Sequence, residues 1–504
     1  MSPGAQLPAW WAPRSVELGA IAAGAWLPGA FAPVGWWPVA MLSPLALFLF
    51  WRGASPGRAA WLGFLYGFAA FLAGTWWTFV SVHEFGRAPA VLAGFLTVAL
   101  AALMAAYYAL LGWSAARWLP AGGVMRWLVG LPAAWGLLEW VRGWFLSGFP
   151  WLSLGYSQTD SVLGALAPLG GVYGLSWACA LAAGALATVM LEDLPRRAMA
   201  IAVLFALFAA AGAADRHAWT RPAGVPLRAA MIQGAVGQDE KWLETQLEPT
   251  RELYSGLTEP HWGKDLLIWP EAALPSLLHQ EIGFLEALDA RAREEGSELL
   301  MGILERDSRD GRFYNTLVSL GGEPEIYRKR QLVPFGEYFP VPEFVREVMR
   351  MMSLPYSDIS PGPPDPGQMT LAGVPVAPTI CYEDAFGAQQ RVFFPAARLL
   401  VNVSNDAWFG DTVAPYQHLQ IARMRAMETG RWMLRATNNG ITAVIDPDGR
   451  VVQRSPQFEP AVVVGEVVPM QGMTPWLRLG DLPLAGAAAL LFGLSALRRN
   501  RAGR

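Results

Sequence analysis

The sequence predicts two fold classes in one chain: an α-helical transmembrane bundle of about eight spans, and a layered α/β domain inserted before the last span. Three observations predict this. Residues 15–213 hold few charges, 220–470 resemble an ordinary soluble domain, and 480–497 turn apolar again. The chain as a whole is 16% charged, against about 25% in soluble domains. From Leu227 onward, short β-like runs alternate with amphipathic helical stretches. The expected organisation is a bundle over 1–219, an α/β domain over 220–475, and a final span with a basic tail over 476–504.

A span takes about 20 apolar residues. Candidates in order are 15–32, 34–50, 57–81, 88–117, 124–142, 161–191, 195–213 and 480–497. Pro28, Pro33 and Pro38 break the first two into one hairpin or two short helices. The N-terminus lacks a basic region leading into a short apolar core and cleavage site, so the first apolar segment is expected to stay in the membrane. With that terminus cytoplasmic, Arg14, Arg52, Arg58, Arg117, Arg126, Arg196 and Arg197 fall on the cytoplasmic side. The tail adds Arg498, Arg499, Arg501 and Arg504, while the opposite short loops carry Arg87 and Arg142. By the positive-inside rule, about seven spans precede the α/β domain, which then faces away from the cytoplasm.

The segment SGFPWLSLGYSQTD (147–160) brings Phe149, Trp151 and Tyr156 to the membrane boundary on the side of that domain. It reads either as an aromatic belt or as a platform where a lipid chain enters. Glu139 and Arg142 stand near a span end. A transporter would need more such groups lining a path.

In the α/β domain, LRAAMIQG, DLLIWPE, SELLMGILE, FYNTLVSLG, VPVAPTICYE and ARLLVNVSND read as strands. EKWLETQLEPTRELYSGLTE, IGFLEALDARAREEG and HLQIARMRAMETGR read as helices. ITAVIDPDGRVVQR, with Asp-Gly between β runs, reads as a hairpin. A net charge of −3, with no basic block interleaved with aromatics, argues against a nucleic-acid partner. Of the two cysteines, Cys179 lies in an apolar run and Cys381 is alone in the α/β domain, which excludes an internal disulfide there. The absence of CxxC or HxxxH pairings leaves no metal expected, and His418 reads as structural.

Three strand ends carry candidate chemistry. In IWPEAALP, Glu271 follows an apolar strand and a Trp-Pro turn. YRKRQLVPFGEYFP carries Lys329 and Glu337, and ICYED carries Cys381. Strand ends beside a cleft are where α/β domains place reactive groups. A thiol near neutrality is mostly protonated and needs a base or a nearby cation to act as a nucleophile. Glu271 can take its proton. Lys329 can stabilise a thiolate and the oxyanion of a tetrahedral intermediate, and Glu337 can keep the lysine charged and oriented. The N–H of Tyr382 is placed to assist at the oxyanion. Each residue alone reads as a solvated end or a small core residue; only the three together point to a reactive cysteine.

These three motifs, in this order, resemble the Glu-Lys-Cys signature of the nitrilase superfamily. The predicted spans and the strings LVPFGEYFP, VNVSNDAWFG, RATNNGITAVIDPDG and GFPWLSLGYSQ make the chain similar to the apolipoprotein N-acyltransferase family within it. That resemblance implies an α-β-β-α sandwich for 220–475. It implies Glu271 as general base, Lys329 as oxyanion stabiliser and Cys381 as nucleophile, supported by Glu337, Tyr382 and Glu383. It implies a substrate contact at Trp242; further substrate contacts are expected at Phe149 and Trp151 if their segment is a lipid platform, and at Trp408 in the α/β domain. The implied reaction moves an acyl chain from a membrane phospholipid, through a cysteine thioester, to the N-terminal amine of a diacylated lipoprotein. No cofactor is expected, and the chain is expected to work as a monomer in the inner membrane of a bacterium. The alternative is a membrane-anchored amidase with water as acceptor, which would need neither the spans nor the aromatic segment.

Three further stretches carry weaker expectations. VPEFVREVMRMMSLPYSDISPGPPDPG (341–367), Met-rich and then rich in Pro and Gly, reads as an amphipathic flap or a plain insertion. Asn405, Asp406 and Trp408 supply either substrate contacts or a self-bonded turn. Arg425 and Glu428 are expected to pair on one helix face.

Overall fold

The computed structural model describes residues 13–338 and 359–502. Most of the segment expected to form a flap, 341–358, lies outside the described residues. The chain divides into two compact units: 1–217 with 411–420 and 478–504, and 218–410 with 421–477.

In the first unit, four helices among the described residues are long and apolar enough to cross a membrane: Ala90–Trp118, Val162–Leu191, Leu194–Ala214 and Leu482–Arg499. The pair Pro56–Gly74 and Trp77–Phe85, bent by 54°, qualifies as a fifth if counted as one span. The segments expected at 15–32, 34–50 and 124–142 contain shorter helices, Pro13–Trp26, Val39–Phe50 and Leu131–Arg142. Close packing sets the neighbours. A Cβ on Gly63 would stand 2.2 Å from the Tyr108 carbonyl oxygen, so the helix Pro56–Gly74 meets Ala90–Trp118 through bare backbone.

The aromatic segment, expected to form either a membrane-boundary belt or a platform for lipid entry, is largely buried instead. Trp151 and Tyr156 are buried, and the exposed aromatics are the preceding Trp144 and Phe145. The reason is a pair of fully buried charges. Arg142 donates to the carbonyls of Phe149 (2.5 Å) and Trp151 (2.7 Å) and to Ser153 Oγ (3.0 Å). Glu139 accepts from Trp135 Nε1 (2.9 Å) and the Leu154 amide (3.1 Å). Irregular backbone inside a bundle must have its polar groups satisfied by protein, and these two side chains do that. Trp151 Nε1 in turn donates to Gln417 Oε1 (2.7 Å), and its ring lies against Trp77 and the buried His418. The segment Asp411–Gln420 thus packs within the first unit, although its sequence reads as part of the α/β domain. Gln417 also donates to the Gly74 carbonyl, and Gln420 to Thr159.

The strands of the second unit begin with β1 (Arg221–Pro222), β2 (Leu227–Gln233), β3 (Leu266–Ile268), β4 (Glu298–Arg306), β5 (Phe313–Leu320) and β6 (Ile326–Arg328). They continue with β7 (Met369–Leu371), β8 (Val374–Ile380), β9 (Leu399–Ser404) and β10 (Met433–Thr437). The last four are β11 (Ala443–Ile445), β12 (Val451–Arg454), β13 (Ala461–Val467) and β14 (Met470–Gln471).

They form a short β1–β14 pair and two six-stranded sheets, ordered β13-β2-β3-β4-β5-β6 and β12-β11-β10-β9-β8-β7. Each large sheet has a parallel centre, β2–β3–β4 in one and β8–β9–β10 in the other, extended by antiparallel strands. The sheets meet face to face. A Cβ on Gly465 of β13 would lie 2.6 Å from Val444 of β11. Gln233, at the end of β2, accepts from Thr442 and Ser455 of the other sheet's connections.

The parallel strands read as near-continuous apolar runs because both of their faces are covered. On the outer face of the first sheet, Tyr254 of the helix Leu247–Thr258 and Leu285 and Leu288 of Ile282–Glu295 pack on Leu267, Trp269 and Leu299. The six expected strands are all present, as is the hairpin, where Gly449 takes a φ of +78° in the turn between β11 and β12. Arg425 and Glu428 pair at 2.8 Å, both buried.

Candidate active site

The three sequence candidates converge. Glu271 follows β3, Lys329 follows β6, and Cys381 follows β8, so two come from one sheet and one from the other. Backbone at each position is constrained. Cys381 has a φ of +53°, a left-handed conformation that costs a non-glycine residue about 1–3 kcal/mol and marks a sharp turn out of the strand. Ala272, next to Glu271, has a φ of +45°. A Cβ on Gly302 would stand 2.7 Å from the Glu271 Cα, so only glycine lets β4 pass behind that turn.

Glu271 and Lys329 are buried, at 7% and 1% exposure, and Cys381 is half-buried. Lys329 Nζ donates to Glu337 Oε1 at 2.8 Å and to Glu271 Oε1 at 3.2 Å. Asn315 of β5 bridges the same two carboxylates through Nδ2, at 2.7 Å from Glu271 and 3.2 Å from Glu337. The other Glu271 oxygen accepts the Asn405 amide at 2.8 Å. Glu337 is fixed in turn by the Val333 amide at 2.8 Å. Glu271 therefore stands as an oriented carboxylate with both oxygens engaged.

The electrostatics follow from burial and charge. Burial alone would lower the pKa of Lys329, but Glu271 and Glu337 outweigh it and hold the ammonium well above the usual lysine range. Burial pushes the Cys381 thiol well above its ordinary range, the Glu271 carboxylate adds to this, and Lys329 opposes it.

The residues after Cys381 have separate tasks. Glu383 is buried and accepts from the Ile380, Arg330 and Gln331 amides and from Tyr327 Oη. It ties the turn after Lys329 to the turn at Cys381. Asp384 faces away from this cluster and pairs with Arg435 at 3.2 Å. Tyr382 is buried with its ring edge-on to Phe386. Asp406, expected in a substrate contact or self-bonded turn, instead pairs with Arg435 at 3.0 Å and accepts from Ser404 Oγ at 2.7 Å. Asn405 is buried, its side chain bridging Gln238 and Asn438. Trp242 and Trp408 are both more than a third exposed. Phe149 and Trp151 belong to the first unit.

Sequence reasoning missed Asn315 and Lys241. Asn315 sits mid-strand in FYNTLVSLG, where a polar residue on an otherwise apolar run was the available signal. Lys241 is fully buried and donates to the Glu271 carbonyl at 3.4 Å. Among the described residues no cluster of His, Cys, Asp and Glu has metal-binding geometry.

Comparison with known proteins covers both parts of the chain. Residues 23–185 match the apolipoprotein N-acyltransferase N-terminal domain, and residues 228–476 match the carbon-nitrogen hydrolase family. An apolipoprotein N-acyltransferase from Methylococcus capsulatus is 43% identical over 96% of both chains. One from Azotobacter vinelandii is 45% identical over 96% of this chain and 95% of its own. Among solved structures, a CN-hydrolase superfamily protein from Xanthomonas campestris matches 53% of this chain and 95% of its own, at 20% identity and a TM-score of 0.37. With near-complete coverage by such relatives, the chain belongs to the apolipoprotein N-acyltransferase family.

Proposed function

We infer that this chain is a membrane enzyme that N-acylates lipoproteins, taking the acyl chain from a phospholipid and carrying it as a thioester on Cys381. The acceptor is the α-amine of an N-terminal diacylglyceryl-cysteine. The observation that carries the reading is the buried Glu271 carboxylate, anchored at both oxygens and brought together with Lys329 and Cys381 from two sheets. That is the arrangement general-base catalysis requires.

In the first half-reaction Glu271 takes the S–H proton as sulfur attacks the ester carbonyl carbon. The oxyanion is met by Lys329 Nζ and the Tyr382 N–H. The ester C–O bond then breaks, and the leaving lysophospholipid oxygen takes the proton from Glu271. In the second half-reaction the neutral amine attacks the thioester carbon and passes a proton to Glu271. The C–S bond breaks, and that proton returns to the sulfur. Glu337 and Asn315 hold Lys329 and Glu271 in place throughout, and Glu383 fixes the turn that presents Cys381. Trp242 and Trp408 are assigned to substrate contacts; in the first unit Phe149 keeps that assignment, and the buried Trp151 does not.

The arginine asymmetry supports about eight spans, a cytoplasmic tail and a catalytic domain on the periplasmic face of the inner membrane. The two stacked sheets with helices outside them fit an α-β-β-α sandwich. The domain division at 219 and 475 and a monomeric state belong to the same reading. Hydrolysis with water as acceptor is disfavoured by the names its relatives carry.

The test uses purified protein and a phospholipid with a labelled acyl chain. A hydroxylamine-sensitive label on the Cys381 peptide is expected, absent in Cys381→Ala. No retained label in the wild-type protein, or equal labelling of the variant, would sink the thioester route.

A further inference from the structure

Ser404, the last residue of β9, is fully buried and has no task in the chemistry described so far. Strands β8 and β9 run parallel, with Thr379 opposite Asn402 and Ile380 opposite Val403. Carried one residue further, that register sets Cys381 opposite Ser404. Side chains two residues apart leave a strand on the same face. On that face, Asn402 Nδ2 donates to Thr379 Oγ1 at 3.0 Å across the preceding pair. The next pair is joined as well: the Ser404 hydroxyl hydrogen-bonds the Cys381 side chain. The backbone of Ser404 is held in place, its carbonyl accepting the Asn438 amide at 3.0 Å.

The same hydroxyl donates to Asp406 Oδ1 at 2.7 Å. Arg435 anchors this carboxylate at its other oxygen, Oδ2, at 3.0 Å, and the same guanidinium also bonds Asp384 and Asn402. A hydroxyl has one hydrogen to give, so at any moment Ser404 donates to the carboxylate or to the sulfur. A neutral thiol or thioester is a weak acceptor and leaves that hydrogen on Asp406. A sulfur with negative charge is a strong acceptor, and Asp406 keeps its bond to Arg435 when the hydrogen leaves. The surroundings make such a donor valuable. Burial and the Glu271 charge push the Cys381 thiol up and Lys329 opposes them, while Asp406 adds to the rise and the Ser404 hydroxyl lowers it. Lys329 is already engaged by Glu271 and Glu337.

We propose that Ser404 is a further catalytic residue: its hydroxyl hydrogen turns from Asp406 to the Cys381 sulfur while that sulfur carries negative charge. The proposal rests on the reading of Cys381 as the nucleophile. In the first half-reaction the S–H proton passes to Glu271, and the Ser404 hydrogen swings to the sulfur as it attacks. The Ser404 O–H bond is never broken. Once the C–S bond has formed and the ester C–O bond has broken, the sulfur is neutral and the hydrogen returns to Asp406. In the second half-reaction the C–S bond breaks and the sulfur leaves with its electron pair. Ser404 donates to it until the proton on Glu271 arrives.

The test compares full-length wild-type protein with Ser404→Ala in three measurements. In a single turnover with labelled phospholipid, acyl-enzyme formation at saturating lipid is expected to slow by about 10–10²-fold, the loss of one hydrogen bond to a charged group. The half-saturating lipid concentration and Tm are expected to stay where they are. Hydroxylamine cleavage of the isolated acyl-enzyme, which also expels the sulfur, is expected to slow as well. Without lipid, iodoacetamide alkylation of the Cys381 peptide, followed by mass spectrometry at one fixed pH, is expected to slow in the same direction. If the alanine variant does not fold, Ser404→Gly takes its place with the same expectations.

Wild-type rates in a folded variant overturn the proposal. So does a change confined to the half-saturating concentration, or slower acylation with unchanged alkylation, since neither acts on the sulfur. Loss of folding in both variants makes the serine purely structural and overturns it too. A wild-type protein that takes no hydroxylamine-sensitive label on Cys381 instead removes the nucleophile assignment, and the role of Ser404 falls with it.

Discussion

The second unit contains two clusters built alike, each a cation between two carboxylates. In one, Lys329 lies between Glu271 and Glu337; in the other, Arg435 lies between Asp384 and Asp406. They differ in closure. Arg435, Asp384 and Asp406 have fully buried side chains, and Asn402 also accepts from the guanidinium. The Glu337 side chain is 16% exposed, and the neighbouring Cys381 is half-buried. The cation types follow the same division. A planar guanidinium with fixed donors suits a permanent clamp between β10 and the turns after Cys381 and Ser404. An ammonium with three rotatable donors suits a site that must bond carboxylates at rest and an oxyanion in the transition state. Equal charge counts thus serve a structural clamp in one place and a reactive centre in the other, and access to the site separates the two.

Removing each cation should break the comparison most sharply. Arg435→Met strands two buried carboxylates, and losing one partner of a buried pair costs about 3–5 kcal/mol. Loss of the folded protein is expected, read as missing yield or a collapsed thermal transition. Glu271→Gln should fold and slow acyl-enzyme formation by about 10²–10⁴-fold, measured in a single turnover with labelled phospholipid. Exchanging the cations sharpens the contrast. Lys329→Arg should cost rate, by roughly 10²-fold, with Tm little changed. Arg435→Lys should lower Tm by several degrees and leave the rate of surviving protein within a few-fold.

The smallest expected effect is on stability at high pH. Because the Cys381 thiol is held above its unfolded range, the folded state keeps a proton that the unfolded chain gives up. That contribution is intact below about pH 8.5 and is lost as pH rises above it. Cys381→Ser should show a shallower decline in Tm across the alkaline range than the wild-type protein.

The open cluster was legible in the sequence and the closed one was not, for a physical reason. Glu271, Lys329 and Cys381 each end a strand, and polar groups at strand ends stand out against the apolar runs before them. Asp384 and Arg435 are 51 residues apart, and Arg435 sits inside MLRAT, where an arginine looks like an edge-strand charge until its partners are known. Of the adjacent acids, the family resemblance gave Glu383 a supporting role and Asp384 none. Their division, one tying the Lys329 turn and the other clamping β10, depends on which way each side chain leaves a tight turn. The same limit explains the aromatic segment. Composition placed Trp151 and Tyr156 near a membrane boundary, but only the inward-facing Glu139 and Arg142 reveal that the backbone there is buried and bonded. Asp411–Gln420 was hidden because it begins the helix Ala414–Thr429, whose later turns belong to the other unit.

The most direct measurement starts from acyl-enzyme formed with labelled phospholipid and freed of excess lipid. A diacylated lipopeptide with a free N-terminal cysteine amine is then added. The account predicts that label leaves Cys381 and appears on the peptide amine at the same rate, in a hydroxylamine-resistant amide. Label released as free fatty acid, with the peptide unlabelled, would contradict it.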